Sequence, residues 1–100
     1  MTDFTVIIQP EAEMDLDDAY DYLQSRKKGL GFDLLEEVSD ISARLESNPF
    51  LFQKVYGEKR RAITKRFGYI LIYIIKGETV YILAIIHESR NPKRLSLIHI

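Results

Sequence analysis

The spacing of apolar residues changes character at Pro49. Before it, apolar positions recur at helical spacing. After it, they fill runs dense in β-branched and aromatic side chains. These are the signatures of amphipathic helices and of buried strands. A short strand is expected at 4–9 (FTVIIQ), with Phe4, Val6 and Ile8 on one side, and Pro10 ends it. A helix over 10–27 follows from the stripe Ala12, Leu16, Ala19, Tyr20 and Leu23. Pro10 suits a first helical position. Glu11, Glu13, Asp15, Asp17 and Asp18 crowd the early turns, and Arg26, Lys27 and Lys28 close the helix, an order that complements the helix dipole. The connection GLG (29–31) leads into a second helix over 31–47, with Phe32, Leu35, Val38, Ile41 and Leu45 as its apolar stripe. Pro49 cannot continue that helix. Two amphipathic helices joined so tightly predict an antiparallel hairpin.

Beyond Pro49, KRRAIT (59–64) reads as a polar edge strand. YILIYIIK (69–76) and TVYILAIIH (79–87) read as core strands, with Gly77 and Glu78 where a hairpin turn belongs. Strict alternation puts Val80, Ile82, Ala84 and Ile86 on one side and Tyr81, Leu83, Ile85 and His87 on the other. Neither strand has a polar face. A helix hairpin covers only one face of a sheet, so the other must be covered by the chain's own tail, a second copy or a partner. LSLIHI (95–100) reads as a further strand or a docking tail. The expected fold is α+β: one domain over 1–100, a two-helix hairpin on a mainly antiparallel sheet, in the order β-α-α-β-β-β with room for one more strand.

Composition narrows the chemistry. There is no cysteine, so disulfides and thiolate metal sites are excluded, and two histidines are too few for a convincing zinc site. No cofactor is expected. The N-terminus is unlike a signal peptide, and no segment approaches the ~20 apolar residues of a membrane helix. The expected compartment is the cytoplasm. The net charge of −1 conceals a division: residues 1–48 carry twelve acids against four bases (net −8), and residues 49–100 three against ten (net +7). Such polarity fits an anionic partner for the basic half, or pairing between the halves.

The order of elements, with RRAITKRFGYILIYIIKGETVYILAIIHESRNP, resembles the RelE/ParE toxin superfamily of bacterial type II toxin–antitoxin systems. The helix pattern Ala12, Asp15, Leu16, Tyr20, Tyr22, the arginine pair Arg60 and Arg61, RFGYILIY, and the closing AIIHESRNP with His87, Arg90 and Pro92 carry the likeness. It spans nearly the whole chain. The resemblance implies a short cognate antitoxin and one of two activities. ParE-like members poison DNA gyrase and need no hydrolytic chemistry of their own. RelE-like members cleave mRNA on the ribosome. A third reading is a toxin fold without activity.

Cleavage of RNA needs a base, an acid and cations at one phosphate. His87, Arg61 and Arg90 are the candidate catalytic residues, with Glu88 a second candidate base. Arg60, Arg61, Lys65, Arg66 and Arg90 are the candidate target- or phosphate-binding residues. Each has a plainer reading: His87 bonded locally at a strand end, arginines paired with helix acids, Lys65 and Arg66 solvated on a loop. The early-helix acids Glu11, Asp15 and Asp18 read as dipole partners rather than metal ligands. No strong partner for His87 stands near the C-terminus, and the sequence pI of 6.1 is low for a ribosome-bound nuclease. The ParE-like reading is therefore favoured, with plasmid stabilisation as its context and a homodimer as one way to cover the second sheet face. Arg60 or Arg61 is expected to converge with His87 and Arg90 on one cationic rim, with Lys65 and Arg66 beside it.

Overall fold

A computed structural model describes residues 4–90. The elements are β1 (Thr5–Ile8), α1 (Pro10–Arg26), α2 (Leu30–Ser47), a 3₁₀ turn (Pro49–Leu51), β2 (Lys54–Tyr56), β3 (Lys59–Ile63), β4 (Tyr69–Lys76) and β5 (Thr79–His87). The strands form one sheet in the order β1-β5-β4-β3-β2. Neighbours pair antiparallel except β1, which lies parallel to β5. The helix hairpin packs on one face, so the architecture is the expected α+β. The segment 95–100 lies outside the described residues.

The hairpin is closed by sequence-specific contacts. Gln24 Oε1 accepts from the backbone N–H groups of Gly29 and Gly31 at 2.8 and 2.9 Å, satisfying donors at the start of α2. Gly31 is required by proximity: a Cβ there would stand 2.6 Å from the Tyr20 ring. Phe32 extends the contact, its ring edge-to-face with Tyr20 at 5.3 Å. The buried face of α2 is Gly31, Leu34, Val38, Ile41 and Leu45. Phe32 and Leu35, expected in the core, are exposed instead. The Tyr20–Gly31 contact sets the helix rotation, and Leu34 takes the inward position.

Three features of the sheet depart from the sequence expectation. KRRAIT is an interior strand, because Lys54–Tyr56 adds an outer one. That strand is three residues long and mostly polar, too short for a periodic signal. β1 joins the opposite edge in parallel, with Val6 against Val80 and Ile8 against Ile82. Finally, the β4–β5 register slips between Ile72↔Ala84 and Tyr73↔Ile82, so that Leu83 is an extra residue. A bulge of this kind inverts the alternation of a strand. Val80, Ile82 and Ile85 therefore face the helices with Tyr69, Leu71 and Tyr73, while Ala84 and Ile86 join Ile70 and Ile72 on the far face. Past the end of β1, the backbone N–H of Ile85 donates to Asp15 Oδ2 of α1 at 2.9 Å. A carboxylate read as a dipole partner thus completes the sheet where a neighbouring strand stops.

Candidate functional site

The end of β5 is locked into the turn before β4. Thr64 is buried, its Oγ1 accepting from Tyr69 N at 2.9 Å and its backbone N–H donating to Tyr69 O at 2.8 Å. His87 lies opposite Tyr69, with the two rings edge-to-face at 5.1 Å. His87 Nδ1 accepts the backbone N–H groups of Ser89 and Arg90, each at 3.2 Å, so in the neutral ring the proton sits on Nε2. Nε2 in turn lies against Gly68. Burial and then the Arg90 charge hold His87 below the ordinary histidine pKa, while a backbone hydrogen bond with Phe67 and the Glu88 charge pull the other way. Both ring nitrogens therefore face the protein's own backbone.

Arg90 folds back over the helix side. Its guanidinium stacks 3.9 Å from the Tyr22 ring centroid and donates to the Tyr69 hydroxyl. Together with Asp15, Asp18, Ala19 and Ile85 these residues line a cavity of about 280 Å³. Desolvation raises the Tyr69 pKa, with Arg90 opposing it. Tyr22 and Tyr69 stand in the family pattern, but nothing in the sequence marks them as partners of Arg90, because they meet only through the tertiary fold.

The five cations expected on one rim are dispersed. Arg60 shares a face with Tyr73, which belongs to the helix-side core. Its Nη1 donates to Phe52 O at 2.6 Å, and its guanidinium lies 5.3 Å from the Phe50 ring centroid. The same segment is fixed by Tyr73, whose hydroxyl donates to Pro49 O at 2.6 Å. Burial pushes the Tyr73 hydroxyl up to about 12. Arg66 pairs with Asp33 of α2 at 3.0 Å. Arg61 is level with Ile72 and Ala84 and so shares the face away from the helices. Arg61 and Arg90 are thus on opposite sides of the sheet, and the expected single rim does not form. Strand alternation alone places Arg60 and Arg61 on opposite faces.

Arg61 and Lys65 differ from the other three, because neither makes an ion pair or side-chain hydrogen bond with the described residues. With Leu51, Phe52, Gln53 and Ile63 they line an open groove of about 430 Å³. Leu51 is 60% exposed and Ile63 38%, so the floor between the two cations is apolar and wet. Lys65 also borders a smaller cleft with Glu37, Asp40 and Arg44. Among the described residues, no group of three or more His, Asp or Glu is placed to hold a metal, and no helix is long and apolar enough to cross a membrane.

The structure is thus a helix hairpin on one face of a β1-β5-β4-β3-β2 sheet, with half-buried His87 bonded to backbone at the end of β5. The chain matches the family model of the ParE toxin of the type II toxin–antitoxin system parDE over residues 6–92, and it belongs to that family. The fold is similar to that of a solved structure, the chromosomal ParDE toxin–antitoxin system from P. aeruginosa. The TM-score is 0.74 at 15% identity, covering 87% of this chain and 98% of the other. No curated protein sequence matches the chain.

Proposed function

We propose that this toxin acts in the cytoplasm by binding, not by cleaving RNA: it engages a DNA-handling enzyme such as DNA gyrase through the Arg61–Lys65 face, and a cognate antitoxin neutralises it. The observation that carries this reading is a contrast. The histidine best suited to acid–base chemistry has both ring nitrogens turned to backbone, whereas Arg61 and Lys65, beside exposed Leu51 and Ile63, make no ion pair or side-chain hydrogen bond among the described residues. Cations flanking apolar surface suit an acidic, partly apolar protein surface, where charge guides encounter and burial supplies affinity. Glu88 alone, exposed beyond β5, supplies no acid–base pair for ribosomal mRNA cleavage.

The test is the double variant Arg61→Glu/Lys65→Glu, assayed for growth arrest, for inhibition of gyrase supercoiling and for mRNA integrity. The expected outcome is loss of arrest and of supercoiling inhibition, with Tm within about 3 °C of the parent because neither side chain makes an ion pair or side-chain hydrogen bond among the described residues. Cleavage of ribosome-bound mRNA by the purified parent, with supercoiling untouched, would overturn this reading. It would return His87, Arg61 and Arg90 to the catalytic roles the sequence offered them.

A further inference from the structure

Two clefts meet at one lysine. Lys65 and Ile63 line both the open groove that holds Arg61 and a smaller cleft of about 140 Å³ against α2, walled by Glu37, Asp40, Ile41 and Arg44. The smaller cleft has an unmet acceptor in its wall. Among the described residues, Glu37 Oε1 is the one buried side-chain polar atom without a hydrogen-bond partner, whereas the large majority of such atoms in native proteins are bonded. Lys65 is exposed and makes no ion pair with the described residues. We propose that Lys65 has two working positions, one beside Arg61 in the open groove and one closed on Glu37, and that its passage between them gates the cationic face.

The charges of the two clefts set the balance. A lysine carries a point charge and three rotatable donors on a flexible four-carbon stem, so a residue on the wall common to both clefts reaches either. In the groove Lys65 stands beside a like charge, Arg61, and the described residues lining that groove include no carboxylate. In the cleft it meets Glu37 and Asp40. Arg44 lines the same cleft but is exposed, four residues after Asp40, a spacing at which helix side chains meet, which leaves Glu37 to Lys65. The Glu37 carboxylate turns about a terminal torsion that is broad and soft, and this brings Oε1 to the cleft. A charge-assisted bond formed there, away from bulk water, is stronger than one in open solvent. An acidic surface laid over Arg61 reverses the balance and draws Lys65 back into the groove. The apparent affinity for that surface then scales with the fraction of molecules in which Lys65 stands open. What the gate controls rests on the proposed target-binding role of this face, whereas the gate itself rests on the two clefts alone.

The test uses the full chain with isotope-labelled lysine, and a short poly-aspartate peptide at low salt as the probe, so it judges the gate whichever enzyme the toxin binds. An ammonium group held in a hydrogen bond exchanges its protons slowly enough to give an NMR cross-peak. Lys65 should give one in the free parent, identified by its absence from Lys65→Met. The peak should be lost in Glu37→Met and should fade in the parent as the peptide is added. Glu37→Met should also bind the peptide several-fold more tightly than the parent. Loss of any acid favours an acidic probe, so the control is Glu36→Met, an exposed neighbour that does not line the cleft, and its gain should be a small fraction of that. Equal gains in the two variants, or no Lys65 cross-peak in the free parent, would overturn the proposal.

Discussion

Arg60 turns from β3 toward the helices, where Phe52 O accepts its proton at 2.6 Å and the Phe50 ring lies under its guanidinium. Arg61, the next residue, is also half-buried but emerges on the other face, beside exposed Leu51 and Ile63. The two side chains are chemically identical, and the fold puts them to opposite uses. The first fastens the 3₁₀ turn and β2 to the body of the sheet, and the second makes no ion pair or side-chain hydrogen bond among the described residues. His87 and Arg66 fall on Arg60's side of the division, their polar atoms committed within the chain. A basic run in a sequence is therefore not a basic surface until each member's partners are known. The division can be tested residue by residue, because engaged groups should affect stability and open ones should not.

The largest stability effect is expected at Arg60. Arg60→Ala removes a charge-assisted hydrogen bond and a ring contact, and it leaves Phe52 O without its donor. Such losses amount to about 2 kcal/mol, or about 10 °C in Tm for a domain of this size. Arg61→Ala should fall within about 0.5 kcal/mol of the parent. Denaturant unfolding of the two variants side by side is the measurement. Equal losses would erase the distinction between the faces.

The helices and the β4–β5 hairpin were legible because each carries a long signal: a stripe at helical spacing, or a run of β-branched and aromatic residues around a glycine turn. What stayed hidden depended on single residues acting over distance. Leu83 inverts the phase of β5, and nothing local to LAIIH announces it. Gly31 against Tyr20 turns α2 so that Leu34, not Phe32 or Leu35, points inward. The arginine pair was visible as a pair, but its convergence with Arg90 assumed that neighbouring strands bring their cations to one rim. Period-two alternation already separates Arg60 from Arg61, and the Tyr22–Arg90–Tyr69 stack, which the sequence gives no means of pairing, draws Arg90 to the helix side.

A smaller, pH-dependent effect is expected at His87. Burial and the Arg90 charge lower its pKa in the folded state, so the unfolded chain takes up the proton first as pH falls through about 6.5. The stability contributed by neutral His87 is complete above that value, declines as pH drops, and is gone below the folded pKa. His87→Asn keeps an acceptor for the N–H groups of Ser89 and Arg90 but cannot titrate. Its stability should fall less steeply than the parent's between about pH 7 and pH 5. Superimposable slopes would mean that the ring is as solvated as in the unfolded chain, and that its engagement with the turn is nominal.

The smallest effect is expected at Arg66, where the division between engaged and open cations is weakest. Its pair with Asp33 is well formed at 3.0 Å, yet the two side chains are 58% and 43% exposed. Solvated pairs of this kind contribute about 0.5 kcal/mol or less once side-chain ordering is counted. Arg66→Ala should therefore cost little in dilute buffer, and the difference should disappear near about 1 M salt, where the screening length is shorter than the separation of most exposed charges. A loss above about 1.5 kcal/mol, or one that persists in salt, would assign the stabilisation to the guanidinium lying 4.9 Å from the Phe67 ring centroid, which salt screens less than an exposed ion pair. Arg66 would then stand with Arg60 as a packed residue, leaving Arg61 and Lys65 as the cations of this segment that have no ion pair among the described residues.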